Sequence, residues 1–195
     1  MTKGSEFEEL TKLDPEKSKI LDQASLEFVV CVSKAKDVLV ENQITDHSPE
    51  QFAKFLYCMP IDMKAKTKFM FDTCDDFALK VKSKFVECFS FFDMRIKEFL
   101  LAILTKVCPP SDYDKRQAFY KFFCEEYSNQ NPDKMISADN VLMILSCIFF
   151  FIDKQRKKLK HSKVSFEQFL TYAEDTGENI ITKEEAEKYF KEIQE

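Results

Sequence analysis

Glycine is nearly absent from this chain. In 195 residues it occurs twice, as Gly4 and Gly177. Glycine-rich loops that cradle phosphate need backbone free to enter positive φ and to approach a ligand closely, so P-loop nucleotide hydrolases and dinucleotide-binding folds are excluded. Tight β-hairpins, whose favoured turns also use positive φ, are disfavoured for the same reason. No window alternates with period two. Apolar residues instead recur at helical spacing, as in Ile96, Phe99, Leu100, Ile103, Leu104 and Val107, and then in Phe119, Phe123 and Tyr127. The expected class is all-α, a single domain of roughly ten short helices around a central apolar helix. With 21 Phe and no Trp, its core is Phe-dominated.

Capping signals place the helices. Ser48-Pro49-Glu50-Gln51 carries an N-cap hydroxyl, a proline at the first helical position and a Gln that closes a capping box. Ser165-Phe166-Glu167-Gln168 and Thr182-Lys183-Glu184-Glu185 repeat the pattern. Asp62, Asp75, Asp93, Ser111 and Ser137 precede further periodic runs, and Pro109-Pro110 stops one. Residues 1–20 form a polar lead-in, with the folded domain expected over 21–195. The longest apolar run, Val141 to Ile152, is broken by Ser146 and shorter than the about 20 residues a bilayer requires, so it is expected to be a buried helix. With no secretory signal and no Cys-x-x-Cys pair, the seven cysteines are expected to be reduced, buried thiols, and the location cytoplasmic.

The chemistry search excludes more than it finds. His47 and His161 are the only histidines, too few and wrongly spaced for a histidine metal centre, so no metal and no cofactor are expected. Asp46-His47-Ser48 has the residue types of a catalytic triad but fits a loop ending in a helix cap. Asn129 to Ser137 resembles a calcium loop, yet Lys134 stands where the turn wants Gly and Asn140 where a Glu should close it. A second frame from Glu174 closes on Glu185 but has Thr176 and Asn179 at key positions. The run Lys154, Arg156, Lys157, Lys158, Lys160, Lys163 is either a solvated loop or a contact for an anionic membrane or an acidic partner. Nucleic acid is not expected, because the net charge is −5 and no RNA-binding aromatic motif accompanies the run.

Several blocks in order carry a whole-chain resemblance. They are Phe28 to Gln43; Ser48-Pro49 through Leu56-Tyr57; Lys84-Phe85-Val86-Glu87; Phe123 to Tyr127 with Asn131-Pro132; Ser137-Ala138-Asp139 before the apolar helix; Lys163 to Phe169; and Tyr189 to Ile193. In order and spacing the chain resembles a divergent Sec7 domain, the exchange module for Arf-family GTPases. The resemblance implies a guanine-nucleotide exchange factor in vesicle-mediated, Golgi or secretory transport, cytoplasmic and peripheral on Golgi or endosomal membranes. Exchange in that family is non-covalent. A hydrophobic groove grips the GTPase switch regions, and an acidic finger enters the nucleotide site, repelling phosphate, displacing Mg²⁺ and pairing with the P-loop lysine.

The resemblance places the finger on Asp72, within a stretch from Thr67 to Ala78 about one residue longer than the family's. Phe71 replaces the preceding glycine, and Asp72 is one methylene shorter than the family's Glu. An exposed loop acid or a cap also fits Asp72. GTPase-binding positions fall on Met70, Phe71, Phe77, Leu142, Ser146, Phe149 and Phe150, with Lys154 and Lys157 at the altered polar end of the central helix. For Met70, Leu142, Phe149 and Phe150 a core position is the other reading. Two alternatives stand beside exchange: a Sec7-like module that binds a GTPase without releasing nucleotide, and a degenerate EF-hand-type protein.

Overall fold

A computed structural model of the chain describes residues 14–157, 165–171 and 183–194, apart from Cys74, Met135, Ile136 and Phe169. Among the described residues all regular structure is helical. The helices are α1 Pro15–Val30, α2 Val32–Glu41, α3 Pro49–Cys58, α4 Met63–Asp72, α5 Asp76–Val86, α6 Ile96–Leu104, α7 Tyr113–Gln130, a 3-10 turn at Pro132–Lys134, α8 Ala138–Lys157 and α9 Lys183–Gln194. None of them is long and apolar enough to cross a membrane.

Short-range caps start these helices. Ser48 Oγ accepts from Gln51 N at 3.3 Å, Asp62 from Ala65 N at 2.8 Å, Asp75 from Ala78 N at 2.7 Å, and Ser137 Oγ from Asn140 N at 3.2 Å. The Ser165–Gln168 box is reciprocal, with both bonds at 3.3 Å. Thr182 lies outside the described residues. Two expected caps move. Asp112, not Ser111, accepts from Lys115 N at 3.0 Å, and Asp93 caps nothing: it sits at φ 57° three residues before α6. Asp14 caps α1 through Glu16 N and Lys17 N, with Pro15 behind it, so helix begins within the stretch expected as lead-in.

The scarcity of glycine leaves a mark at the end of α2. Gln43 takes the left-handed conformation at φ 56° while its N–H donates to Val40 O at 2.9 Å and Ile44 N donates to Leu39 O at 2.9 Å. This is a Schellman ending built without the usual glycine.

The chain divides into two compact units, one from the residues up to Ser90 with Ala102–Phe119, the other from Phe91–Leu101 and from Tyr120 onward. In the first, α1 packs along α2 and α3 along α5. Its core is aromatic, with Phe28, Phe52, Phe69 and Phe77 in ring contact at 5.6 to 6.1 Å. Such pairs add about 0.5–1.5 kcal/mol each to their burial. In the second, α8 buries Val141, Ile144, Leu145 and Ile148, the i, i+3, i+4, i+7 stripe of an amphipathic helix. Phe166 packs on Phe190 of α9, rings 5.5 Å apart. Of the described cysteines Cys88 and Cys124 are buried, whereas Cys31, Cys58 and Cys108 are half-buried, less enclosed than expected.

Candidate functional site

Asp72 is the last residue of α4, and several contacts of the first unit fix that helix. Lys66 is 3% exposed and donates from Nζ to Met59 O at 3.0 Å; Lys106 donates to Tyr57 O at 3.1 Å and lies 4.3 Å from the Tyr57 ring centre. Both amines thus meet carbonyls at the C-terminal end of α3, where cations complement the helix dipole. Burial, and then the neighbouring Lys106 charge, push the Lys66 amine down to about 8. Thr67 Oγ1 reaches Cys108 O at 2.6 Å and Met63 O at 2.9 Å, which ties α4 to the loop before α7.

The Asp72 carboxylate is exposed and paired with Lys115 Nζ at 2.5 Å. Both residues line a cleft of about 480 Å³ with Lys64, Thr67, Lys68, Phe71, Cys108, Pro109, Pro110, Ser111 and Asp112. Phe71 is half-buried, its ring 5.0 Å from that of Phe119 and 4.5 Å from Lys82 Nζ. The connection to α5 is short: after Asp72 come Thr73, Cys74 and the capping Asp75. Asp76 pairs with Lys80 at 2.6 Å. Met70 is 1% exposed and belongs to the core. Phe77 is half-buried between Phe52, at 5.6 Å, and Lys36 Nζ, at 4.0 Å.

The remaining candidates lie on α8 in the second unit. Leu142 and Ser146 are half-buried, and Ser146 Oγ donates to Leu142 O at 2.9 Å, turning the hydroxyl back onto its own helix. Phe149 is half-buried against Tyr120, rings 4.7 Å apart. Lys154 and Lys157 lie within the helix, as does Phe150, but their side chains are outside the described set, and so are residues 158–163 of the basic run.

The Asn131-Pro132 block acquires a structural explanation. Buried Asn131 donates to Phe91 O at 2.9 Å and Tyr127 O at 2.8 Å and accepts from Asp93 N at 2.7 Å. Gln130 accepts from Phe91 N at 2.6 Å, and Tyr127 OH donates to Met94 O at 2.7 Å. These bonds hold the turn before α6, including Asp93 in its left-handed conformation. Asn131, which the calcium-loop frame needs as a ligand, is thus committed to the protein's own backbone.

The sequence profile of the Sec7 domain family matches residues 17–195. The chain belongs to the Sec7 domain family. This Sec7 chain is 25% identical over 171 residues to cytohesin-3 of Rattus norvegicus, covering 86% of itself and 43% of that protein. It is 23% identical over 157 residues to the Schizosaccharomyces pombe protein named ADP-ribosylation factor guanine nucleotide-exchange factor sec72, covering 80% of itself and 9% of the relative. It therefore spans less than half the length of these curated relatives. The crystal structure of the Sec7p catalytic domain superposes with a TM-score of 0.75 at 25% identity, covering 89% of this chain and 93% of that one. A Sec7 domain complex with ARF1-GDP and Brefeldin A gives a TM-score of 0.73 at 16% identity, covering 94% of each chain, a likeness of fold. Lys115 went unmarked by sequence: it stands 43 positions from Asp72, and nothing local in either segment pairs them.

Proposed function

We propose that this Sec7 domain promotes guanine-nucleotide exchange on an Arf-family small GTPase, with Asp72 as its acidic finger. The family assignment over 17–195, with relatives that bear the name of Arf exchange factor, carries the reading. The exposed acid that ends α4 supplies the chemistry it needs. A carboxylate presented to the nucleotide site repels phosphate and pairs with the P-loop lysine, favouring the nucleotide-free GTPase with no covalent step and no cofactor. Phe71, Phe77, Leu142, Ser146 and Phe149 are the partner-contacting side chains in this reading, joined by Phe150, Lys154 and Lys157. Met70 supports α4 from within the core. The domain then works as a peripheral factor at Golgi or endosomal membranes in vesicle traffic.

One observation favours a second reading, a domain that binds the GTPase without releasing nucleotide: Asp72 is held by Lys115 and must leave it to act. That pair is exposed, and such pairs contribute only about 0–1 kcal/mol, so it slows the finger rather than blocks it. Release of mant-GDP from a panel of Arf-family proteins decides between the readings. Under the first, Asp72→Ala slows release, Asp72→Lys abolishes it with GTPase binding retained, and Asp72→Glu speeds it by restoring reach. Wild-type binding with no release favours the second reading; release unaltered by Asp72→Ala removes Asp72 from the mechanism.

A further inference from the structure

The cleft beside Asp72 has a charge pattern that the exchange reading does not use. Three lysines and two aspartates line it. The aspartates are engaged: Asp72 pairs with Lys115, and Asp112 caps α7 through Lys115 N. Lys64 and Lys68 are exposed and, among the described residues, make no ion pair or side-chain hydrogen bond. They stand four residues apart on α4, one turn and about 6 Å along the axis, where like charges destabilise a helix. The composition does not impose this, since acids outnumber bases and the net charge is −5. The floor between them is apolar, from Phe71, Cys108, Pro109 and Pro110, and the volume of about 480 Å³ suits a small molecule.

We propose that this cleft binds a phosphate-bearing ligand, with Lys64 and Lys68 holding its anionic groups and Lys115 at the far rim. The two cations of α4 match a ligand with phosphates a few ångströms apart, and the proline-lined floor receives its carbon body. Because Lys115 is shared, an occupant competes with Asp72 for that lysine and releases the carboxylate. Binding itself involves no GTPase, so the site stands or falls separately from the exchange activity.

The test titrates inorganic pyrophosphate into ¹⁵N-labelled protein and follows the amide resonances of Thr67, Ser111, Asp112 and Lys115. Flotation with phosphatidylcholine vesicles, with and without a phosphatidylinositol phosphate, runs in parallel. The site predicts saturable shifts at those amides, with affinity falling about tenfold or more in Lys64→Gln/Lys68→Gln. The control Lys19→Gln/Lys34→Gln, with the same charge change outside the cleft, stays within about twofold of wild type. Lysine-dependent flotation on phosphoinositide vesicles identifies a lipid headgroup as the source; pyrophosphate binding without it identifies a soluble phosphate. Saturation at neither probe overturns the proposal. So does an equal loss in both double variants, which marks diffuse attraction.

Discussion

Replacing Lys66 by methionine isolates the energetics of the buried amine that supports α4. Its pKa is about 8 in the folded protein against an ordinary 10.5, chiefly through burial and then through the Lys106 charge. Each tenfold change in proton affinity corresponds to about 1.4 kcal/mol, so keeping Lys66 charged costs the native state about 3 kcal/mol below pH 8. Between about 8 and 10.5 the unfolded chain holds a proton that the native state has lost. Stability therefore rises with pH through that window and levels off above it. Methionine has similar bulk and no charge. At neutral pH Lys66→Met loses the donor to Met59 O, a change of about 1.5–3 kcal/mol, but escapes the desolvation, and the two effects nearly cancel. As pH rises to about 10.5 the wild type should gain about 3 kcal/mol on the variant, because its neutral amine still donates. Urea unfolding of both proteins across this range measures the gap, and tyrosine and cysteine titrations common to both drop out. A gap that stays constant with pH would refute the reasoning, since it would mean that the amine keeps its ordinary pKa.

Three further outcomes follow from particular contacts. Gln43→Gly should stabilise by about 0.5–1 kcal/mol, a rise in Tm, because glycine enters the left-handed region without the Cβ penalty. Asn131→Ala should cost about 3 kcal/mol in urea unfolding and expose the Asp93 amide to hydrogen exchange, since three buried backbone partners lose their bonds at once. Reversing Lys154, Arg156 and Lys157 to Glu should weaken binding to the GTPase or to anionic liposomes, with wild-type binding itself falling as salt rises; no change in either marks a solvated face.

What sequence disclosed and what it withheld divide by distance along the chain. The caps at Ser48, Asp62, Asp75, Ser137 and Ser165 were legible because each cap bonds an amide three residues on. Asp14 follows the same grammar and was legible in principle, since Asp14-Pro15-Glu16 repeats Ser48-Pro49-Glu50. Asp93 was not: its conformation answers to Asn131, 38 positions away. Asp72 shows the same limit at the candidate site. Residue type and block order mark it as the acid of interest, while its partner Lys115 is fixed only when α4 and α7 come together in the first unit.

Phe71 shows why such long-range contacts bear on activity. The resemblance puts a glycine before the finger, a residue that bends at little cost; here the position holds a ring against Phe119 and beneath Lys82. An aromatic pair contributes about 0.5–1.5 kcal/mol and an exposed cation–π contact about 0.5–1, so a movement that frees this ring gives up about 1–2.5 kcal/mol. Releasing Asp72 from Lys115 adds up to about 1 kcal/mol. If the finger must shift to reach a nucleotide, these contacts make the extended state a minority of about one in ten to one in several hundred. They also assign the deficit to the resting state of α4. Removing the Phe71 ring should then speed release more than removing Lys115 does, an ordering that a finger hindered only by its shorter reach would not produce.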